Sequence, residues 1–310
     1  MNPARSIIVF TVASGAGCGV LAVTGACAAI GLLPGGPPVG LRATALALVL
    51  IAVGLAAASC HLGRPERMLQ TFRQWRSSWL TREAIAALGT VIFAGVSIVV
   101  GVLPGDHGSA WAWSCVPAVV LAMATVSCAA MIYASLRAVP QWHNAFVLPC
   151  YLLLSLMTGT LLLVLFAQLS AINHAAVDIF AAAVICAALL AKTGYWRHID
   201  HMRPKSDIGT ATGLGRFGAV RLLDPPQSEA DFAIGELDRR IARGTARRLR
   251  LIVLVLLFAC PLALTLIPIA TSVASLGPAA IAVLSATVGV LLERWLFFAE
   301  ARQTRMLAYV

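Results

Sequence analysis

Long apolar stretches alternate with short polar breaks along the whole chain. The apolar stretches are Ile7–Leu33, Ala43–Cys60, Ala84–Leu103, Trp111–Leu136, Ala145–Leu169, Ala175–Ala191, Leu251–Ala270 and Pro278–Phe298. Most are close to the roughly 20 residues that cross a bilayer core as a helix. They are apolar all round and lack the period-two alternation of a membrane barrel. Lipid satisfies no open backbone group, so such segments must be helical. The pattern predicts an all-α integral membrane protein of eight transmembrane helices, grouped as two four-helix bundles. The first stretch is too long for a signal-peptide core, and no small-x-small cleavage site follows it, so it reads as the first span. Three units result. Residues 1–192 carry spans one to six with a polar loop at 61–83. Residues 193–250 form a loop with an amphipathic surface helix. Residues 251–310 hold spans seven and eight and a tail.

Composition supports this reading. Charged residues make up 12% of the 310 and hydrophobic ones 60%, whereas a soluble domain is about 25% charged. A net charge of +10 raises nucleic acid as a partner, but the distribution of the charge excludes it. Of the 23 basic residues, Arg42 alone falls in a loop on the outer face of an eight-span chain. The rest gather at Arg5, in the 61–83 loop, at Arg137, between spans six and seven, and at the C-terminal end. Basic residues in short loops mark the cytoplasmic side. Both termini and the long loops are therefore expected in the cytoplasm, with membrane lipid beside them.

The outer loops are short, so no outer domain is available for chemistry. The inner connections are richer. They comprise the 61–83 loop, a turn "RAVPQWHN" over Arg137–Asn144, and a long segment over Lys192–Arg250. In that segment Ser228 and Asp231 make a capping box, and Phe232, Ile234, Leu237 and Ile241 recur at helical spacing. A run of arginines follows. This reads first as a helix lying on anionic lipid, with a specific partner site as the alternative. Gly15 and Gly19 form a GxxxG, which lets membrane helices approach closely.

The eight cysteines show no CxxC and no ligand spacing, so the chain is expected to hold no iron–sulfur cluster and no metal. None of the six histidines lies near the middle of a span, which excludes a stacked pair of haems. One inner haem, using His61 with His143 or His198, remains geometrically conceivable, though no haem is expected. Intramembrane charge marks ion paths, and there is little of it. Asp178 lies just inside the outer end of span six. Glu293 and Arg294 lie in the last turns of span eight, where snorkelling or mutual pairing satisfies them. A transporter is therefore unsupported.

Polar chemistry then concentrates in "HLGRPERMLQTFRQWRSSWLTREA", His61–Ala84, which packs five arginines, two glutamates and two tryptophans between two apolar spans. His61 ends one span and Glu83 begins the next, so the two should come near each other at the edge of the apolar slab. A histidine titrates near neutrality, and a carboxylate beside it completes a proton relay. A quinone needs such a relay for its ring oxygens while its tail stays in lipid. Arg64 and Arg67 could hold the reduced oxygens, and Trp75 and Trp79 could flank the ring. The alternative is a loop folded on its own ion pairs.

The same stretch resembles the signature loop of the anchor subunits of dimethyl-sulfoxide-reductase-type molybdoenzymes, among them the anchors of cytoplasmic sulfite dehydrogenases. "IGTATGLGRFG" (Ile208–Gly218) and "LLERWLFFAEA" (Leu291–Ala301) resemble that family too, in the expected order. The resemblance implies a multi-pass anchor in a bacterial cytoplasmic membrane that does not itself act on the substrate. It would bind a four-cluster iron–sulfur subunit, which in turn holds a molybdopterin catalytic subunit, and would exchange electrons with menaquinone or ubiquinone. His61, Gly63 and Glu83 would bear on quinone binding. Arg67, Arg73, Arg76 and Arg216 are assigned to the docking face. Inward docking loops favour sulfite oxidation over the reduction of dimethyl sulfoxide or a related sulfur compound.

Overall fold

A computed structural model describes residues 5–59, 74–103, 108–202, 209, 213–220, 246–271 and 273–301. His61, Gly63, Arg64, Arg67 and Arg73 lie outside the described residues, as does most of the expected surface helix. Within them are eight helices long and apolar enough to span a membrane: α1 (Arg5–Ala29), α2 (Gly36–Ser59), α3 (Trp79–Val102), α4 (Gly108–Ala134), α5 (Val147–Leu169), α6 (Ala175–Asp200), α7 (Ala246–Thr271) and α8 (Leu276–Ala299). There is no strand among the described residues. The protein is an all-α, multi-pass membrane protein.

Helix α1 packs on α2, α4 and α5. Helix α3 lies against α4 and α2, α5 against α6 and α8, and α7 against α6 and α8. Helix α5 is the pillar, with 61% of its apolar window buried against 28% in α3 and in α8. The α1–α5 crossing explains half of the GxxxG. A Cβ on Gly19 would overlap the Ser155 carbonyl, and one on Gly159 would overlap the backbone of Gly19. Only hydrogen fits at either position. Gly15 differs, because a Cβ there meets nothing within 4 Å. Its carbonyl accepts the Ser155 hydroxyl at 2.6 Å.

Several span boundaries differ from the hydropathy reading; α2 starts at Gly36 rather than Ala43, which puts Arg42 inside the helix and not in an outer loop. Hydropathy starts span three at Ala84, but α3 starts at Trp79. Ser78 caps it, accepting a hydrogen bond from the Thr81 amide at 3.4 Å. Glu83 thus sits inside the helix, in its second turn. Hydropathy ends span six at Ala191, but α6 continues to Asp200. The cause is a buried stripe that outlasts the apolar run. Val184, Ile185, Ala188, Lys192, Tyr195 and Trp196 recur at helical spacing and all are buried. A hydropathy window loses this turn because Lys192 lies within it. Helix α7 contains a π-helical stretch at Leu254–Ala259, just before Pro261. A proline cannot donate to the preceding turn, and such a bulge is one way for a helix to absorb the break.

Candidate functional site

The bundle has two ends. One carries the α2–α3, α4–α5 and α6–α7 connections and most of the basic residues; it is the basic end. The other carries the remaining turns.

At the basic end, the glutamate in the second turn of α3 is 4% exposed. No described residue gives its carboxylate a hydrogen bond or an ion pair. Glu83 lines a narrow cleft reached by α1, α3, α4, α5 and α8. Ser14, Thr125, Tyr151, Ser155 and Arg294 are also on the wall. The small hydroxyls have already spent their protons on backbone. Ser14 donates to Phe10 at 2.5 Å, Thr125 to Leu121 at 2.8 Å and Ser155 to Gly15 at 2.6 Å. Their oxygens face the cleft only as acceptors.

Helix α8 supplies another wall of the cleft and carries two charges into the bundle. Glu293 and Arg294 are buried, at 0% and 4% exposure. Of the two fates open to them from sequence, pairing is the observed one. Arg294 Nε approaches Glu293 Oε2 at 2.7 Å, close enough for an ion pair but not aligned as a hydrogen bond. The Lys192 ammonium donates to Glu293 Oε1. In the sequence, Lys192 reads as the first residue of a solvated segment. The structure buries it, at 1% exposure, under the rings of Tyr195 and Trp196. Lys192, Glu293 and Arg294 therefore form a triad of net charge +1 inside the bundle. The Arg294 guanidinium lies 3.9 Å from the Tyr151 ring centroid, on its face. The Arg294 Nη1 and the Tyr151 hydroxyl are buried and have no hydrogen-bond partner among the described residues.

Around the triad the aromatic rings are dense. Tyr133 meets Trp142, Tyr151, Phe297 and Phe298 with centroids 5.2–6.1 Å apart. The indole of Trp142 donates to the Phe297 carbonyl at 3.0 Å. This places the "RAVPQWHN" turn against the end of α8. Toward solvent, Arg250 of α7 bridges Asp200 and Glu300 at 2.7 Å each, joining the ends of α6, α7 and α8.

The remaining sequence candidates lie elsewhere. Trp75 is 52% exposed and Arg76 is exposed; both sit in the turn before α3. That turn is held by Arg82, which donates to the carbonyls of Trp75 at 3.0 Å and Arg76 at 2.5 Å. Its guanidinium lies 4.4 Å from the Trp79 ring centroid. Neither tryptophan is on the cleft wall. Arg216 is exposed in the 3-10 turn Leu214–Phe217, stacked on Phe217 at 4.6 Å. His143 and His198 are exposed. The Nδ1 of His143 is 2.6 Å from the Ala134 carbonyl, and His198 leans on Phe146. Sequence reasoning named Glu83 but missed Tyr151, and gave Lys192, Glu293 and Arg294 no part in a site. The signal for Lys192 was its helical register with Ala188 and Tyr195.

Comparison with known proteins agrees with this architecture. The chain is 28% identical, over 100% of its own length and 99% of the relative's, to a sulfite dehydrogenase subunit of Allochromatium vinosum. The profile of the family described as "DMSO reductase anchor subunit (DmsC)" matches residues 1–208. The eight-span protein with Glu83 buried near the head of its third helix belongs to the DMSO reductase anchor subunit family.

Proposed function

We propose that this chain anchors a molybdenum and iron–sulfur oxidoreductase in the bacterial cytoplasmic membrane and carries its quinone site. The observation that carries the reading is Glu83. A carboxylate almost wholly removed from water, with no partner among the described residues, is expensive unless it is used. Here it faces a largely apolar cleft near the basic end. His61, at the end of the preceding apolar run, supplies the other half of a proton relay. Gly63 and Arg64 belong to the same stretch, and Trp75 and Trp79 lie beside it as interfacial aromatics. Electrons pass between the quinone, ubiquinone or menaquinone, and a four-cluster iron–sulfur subunit docked on the basic end. Arg67, Arg73, Arg76 and Arg216 contribute to that dock. The iron–sulfur subunit holds a molybdopterin subunit that acts on the substrate. The chain itself holds no haem, cluster or molybdenum.

The relative's name supports sulfite as the substrate. Basic loops facing the cytoplasm fit a cytoplasmic oxidation that delivers electrons to quinone. The family's description gives the second reading, a quinol-oxidising anchor for reduction of dimethyl sulfoxide or a similar compound.

The test is to separate membrane chemistry from catalysis. In washed membranes, His61→Ala and Glu83→Gln should leave turnover with an artificial dye intact. Quinone-linked turnover should fall by a factor on the order of 10²–10⁴, the usual cost of losing a proton carrier. If dye-linked activity left the membrane fraction along with quinone-linked activity, the two residues would be bracing the docking loop instead.

A further inference from the structure

We infer that Arg294 and Tyr151 bind one oxygen of the quinone ring while Glu83 serves the other, and that Lys192 and Glu293 are positioning residues for Arg294. This rests on the quinone reading above and deepens it. The inference comes from the hydrogen-bond inventory of the cleft. On the walls formed by α1 and α4, the hydroxyls of Ser14 and Thr125 are committed to backbone carbonyls, and Ser155 likewise. Two unused donors remain, Arg294 Nη1 and the Tyr151 hydroxyl. They are neighbours, because the guanidinium lies on the Tyr151 ring. On α3 the Glu83 carboxylate has no described partner. One wall thus offers donors to a ligand and another offers an acceptor. A para-hydroquinone matches both, with an oxygen at each end of a flat ring, one accepting and one donating.

The triad explains why an arginine can wait there. A lone guanidinium in this environment is costly. Glu293 balances it, and Lys192 takes the second oxygen of Glu293, so the Nη1 stays unengaged. Reduction consumes two electrons from the iron–sulfur partner and two protons. Glu83 hands a proton to the oxygen it faces and recovers one from water. The other oxygen takes its proton from water while Arg294 offsets the negative charge that builds on it.

The experiment uses the intact complex in washed membranes, with decylubiquinone as the probe. Arg294→Gln leaves the neutral Lys192–Glu293 pair behind, so no buried charge is left without a counter-ion. It should lower quinone-linked kcat/KM by about ten-fold or more, the worth of a charged hydrogen bond, chiefly through a raised KM. Tyr151→Phe should lower it less, and dye-linked turnover should hold in both. Values within roughly two-fold of wild type for Arg294→Gln would overturn the inference. If Glu83→Gln still lost quinone-linked turnover in that case, the quinone reading would stand and only the assignment to Arg294 would fall. If Glu83→Gln also kept it, the quinone site itself would be misplaced. Should Arg294→Gln fail to accumulate, an azidoquinone photolabel decides in the wild-type complex. Label on α5 or α8 supports the inference, and label confined to other helices overturns it.

Discussion

The two ends of the bundle are closed by different chemistry. At the basic end, Lys192, Glu293 and Arg294 are buried among Tyr151, Tyr195, Trp196 and Phe297, and a cleft opens beside them. At the other end, mostly neutral groups do the sealing. Trp111 is seated on Gly40 and Gly101, where added Cβ atoms would collide with its ring. Gln168 accepts the Ser275 amide at 2.7 Å, and Asn173 donates to the Pro268 carbonyl at 3.2 Å. Arg42, the basic residue at this end, turns to a Pro38 carbonyl and the Ser170 hydroxyl. Buried charge is expensive in a membrane and is retained where something uses it. The triad and Glu83 gather at one end, the end at which the proposed quinone site lies.

The largest effect should come from breaking the triad at its centre. Glu293→Gln leaves two buried cations facing each other without a counter-ion, and removing one partner of a buried pair costs about 3–5 kcal/mol. The variant should accumulate poorly, with a strongly lowered unfolding midpoint in detergent. Lys192→Met, which keeps the Glu293–Arg294 pair neutral, should be much milder. Equal losses from the two would show that Glu293 is not the shared counter-ion on which the triad depends.

The helix crossing that supports the basic end comes next. Gly19→Val forces a side chain into the Ser155 backbone, and overpacking of this kind costs about 1–3 kcal/mol, occasionally more. Gly15→Ala, one turn away in the same motif, meets open space and should be close to neutral. Unfolding midpoints of the pair, measured side by side, test whether the motif packs through Gly19 alone.

Much of this was legible in the sequence. Eight apolar runs and their polar breaks were enough to number the helices, because in lipid the backbone has only one way to satisfy itself. Glu83 could be picked out as a carboxylate at the head of an apolar run, although its helix begins earlier, at Trp79. What hydropathy could not show was the last part of α6. A window sees Lys192 as the end of a span, whereas the helix sees one face, and on that face Lys192 continues the stripe of Ile185 and Ala188. Pairing of Arg294 with Glu293 could be read as one option, but not the further partners, since Lys192 and Tyr151 lie on other helices. Pairings of that kind depend on packing between spans, which leaves no local periodicity to read.

A smaller effect is expected at the solvent edge of the basic end. Arg250 ties Asp200, which is half exposed, and Glu300, which is 11% exposed; the exposed arm is worth about 0–1 kcal/mol, and a glutamine at 250 still offers Glu300 a donor. Arg250→Gln should lower the unfolding midpoint slightly and leave quinone-linked turnover near wild type. A large loss of turnover would extend the functional region outward from the triad to this clamp.

The smallest effect should come from Asp178, and it is the sharpest check on the contrast between the ends. Asp178 sits in the first turn of α6 at the neutral end, 2% exposed, and its Oδ2 has no hydrogen-bond partner among the described residues. By burial alone it resembles Glu83. Its surroundings differ, because it does not line the cleft and lies in the first turn of its helix, where the helix dipole favours a carboxylate by about 0.3–1 kcal/mol. Asp178 is therefore set apart from Glu83 by its place, away from the cleft and beside His174 in the first turn of a helix. Asp178→Asn keeps the shape and lies away from the cleft, so the unfolding midpoint should shift little and quinone-linked turnover should hold. A complex carrying Asp178→Asn should also build the same membrane potential in proteoliposomes as the wild type, which is expected to be small. If instead the substitution abolished turnover, or the wild type generated a large potential that the variant lost, a proton path would have to run the length of the bundle from Asp178 to the triad. The neutral end would then be part of the machinery rather than its seal.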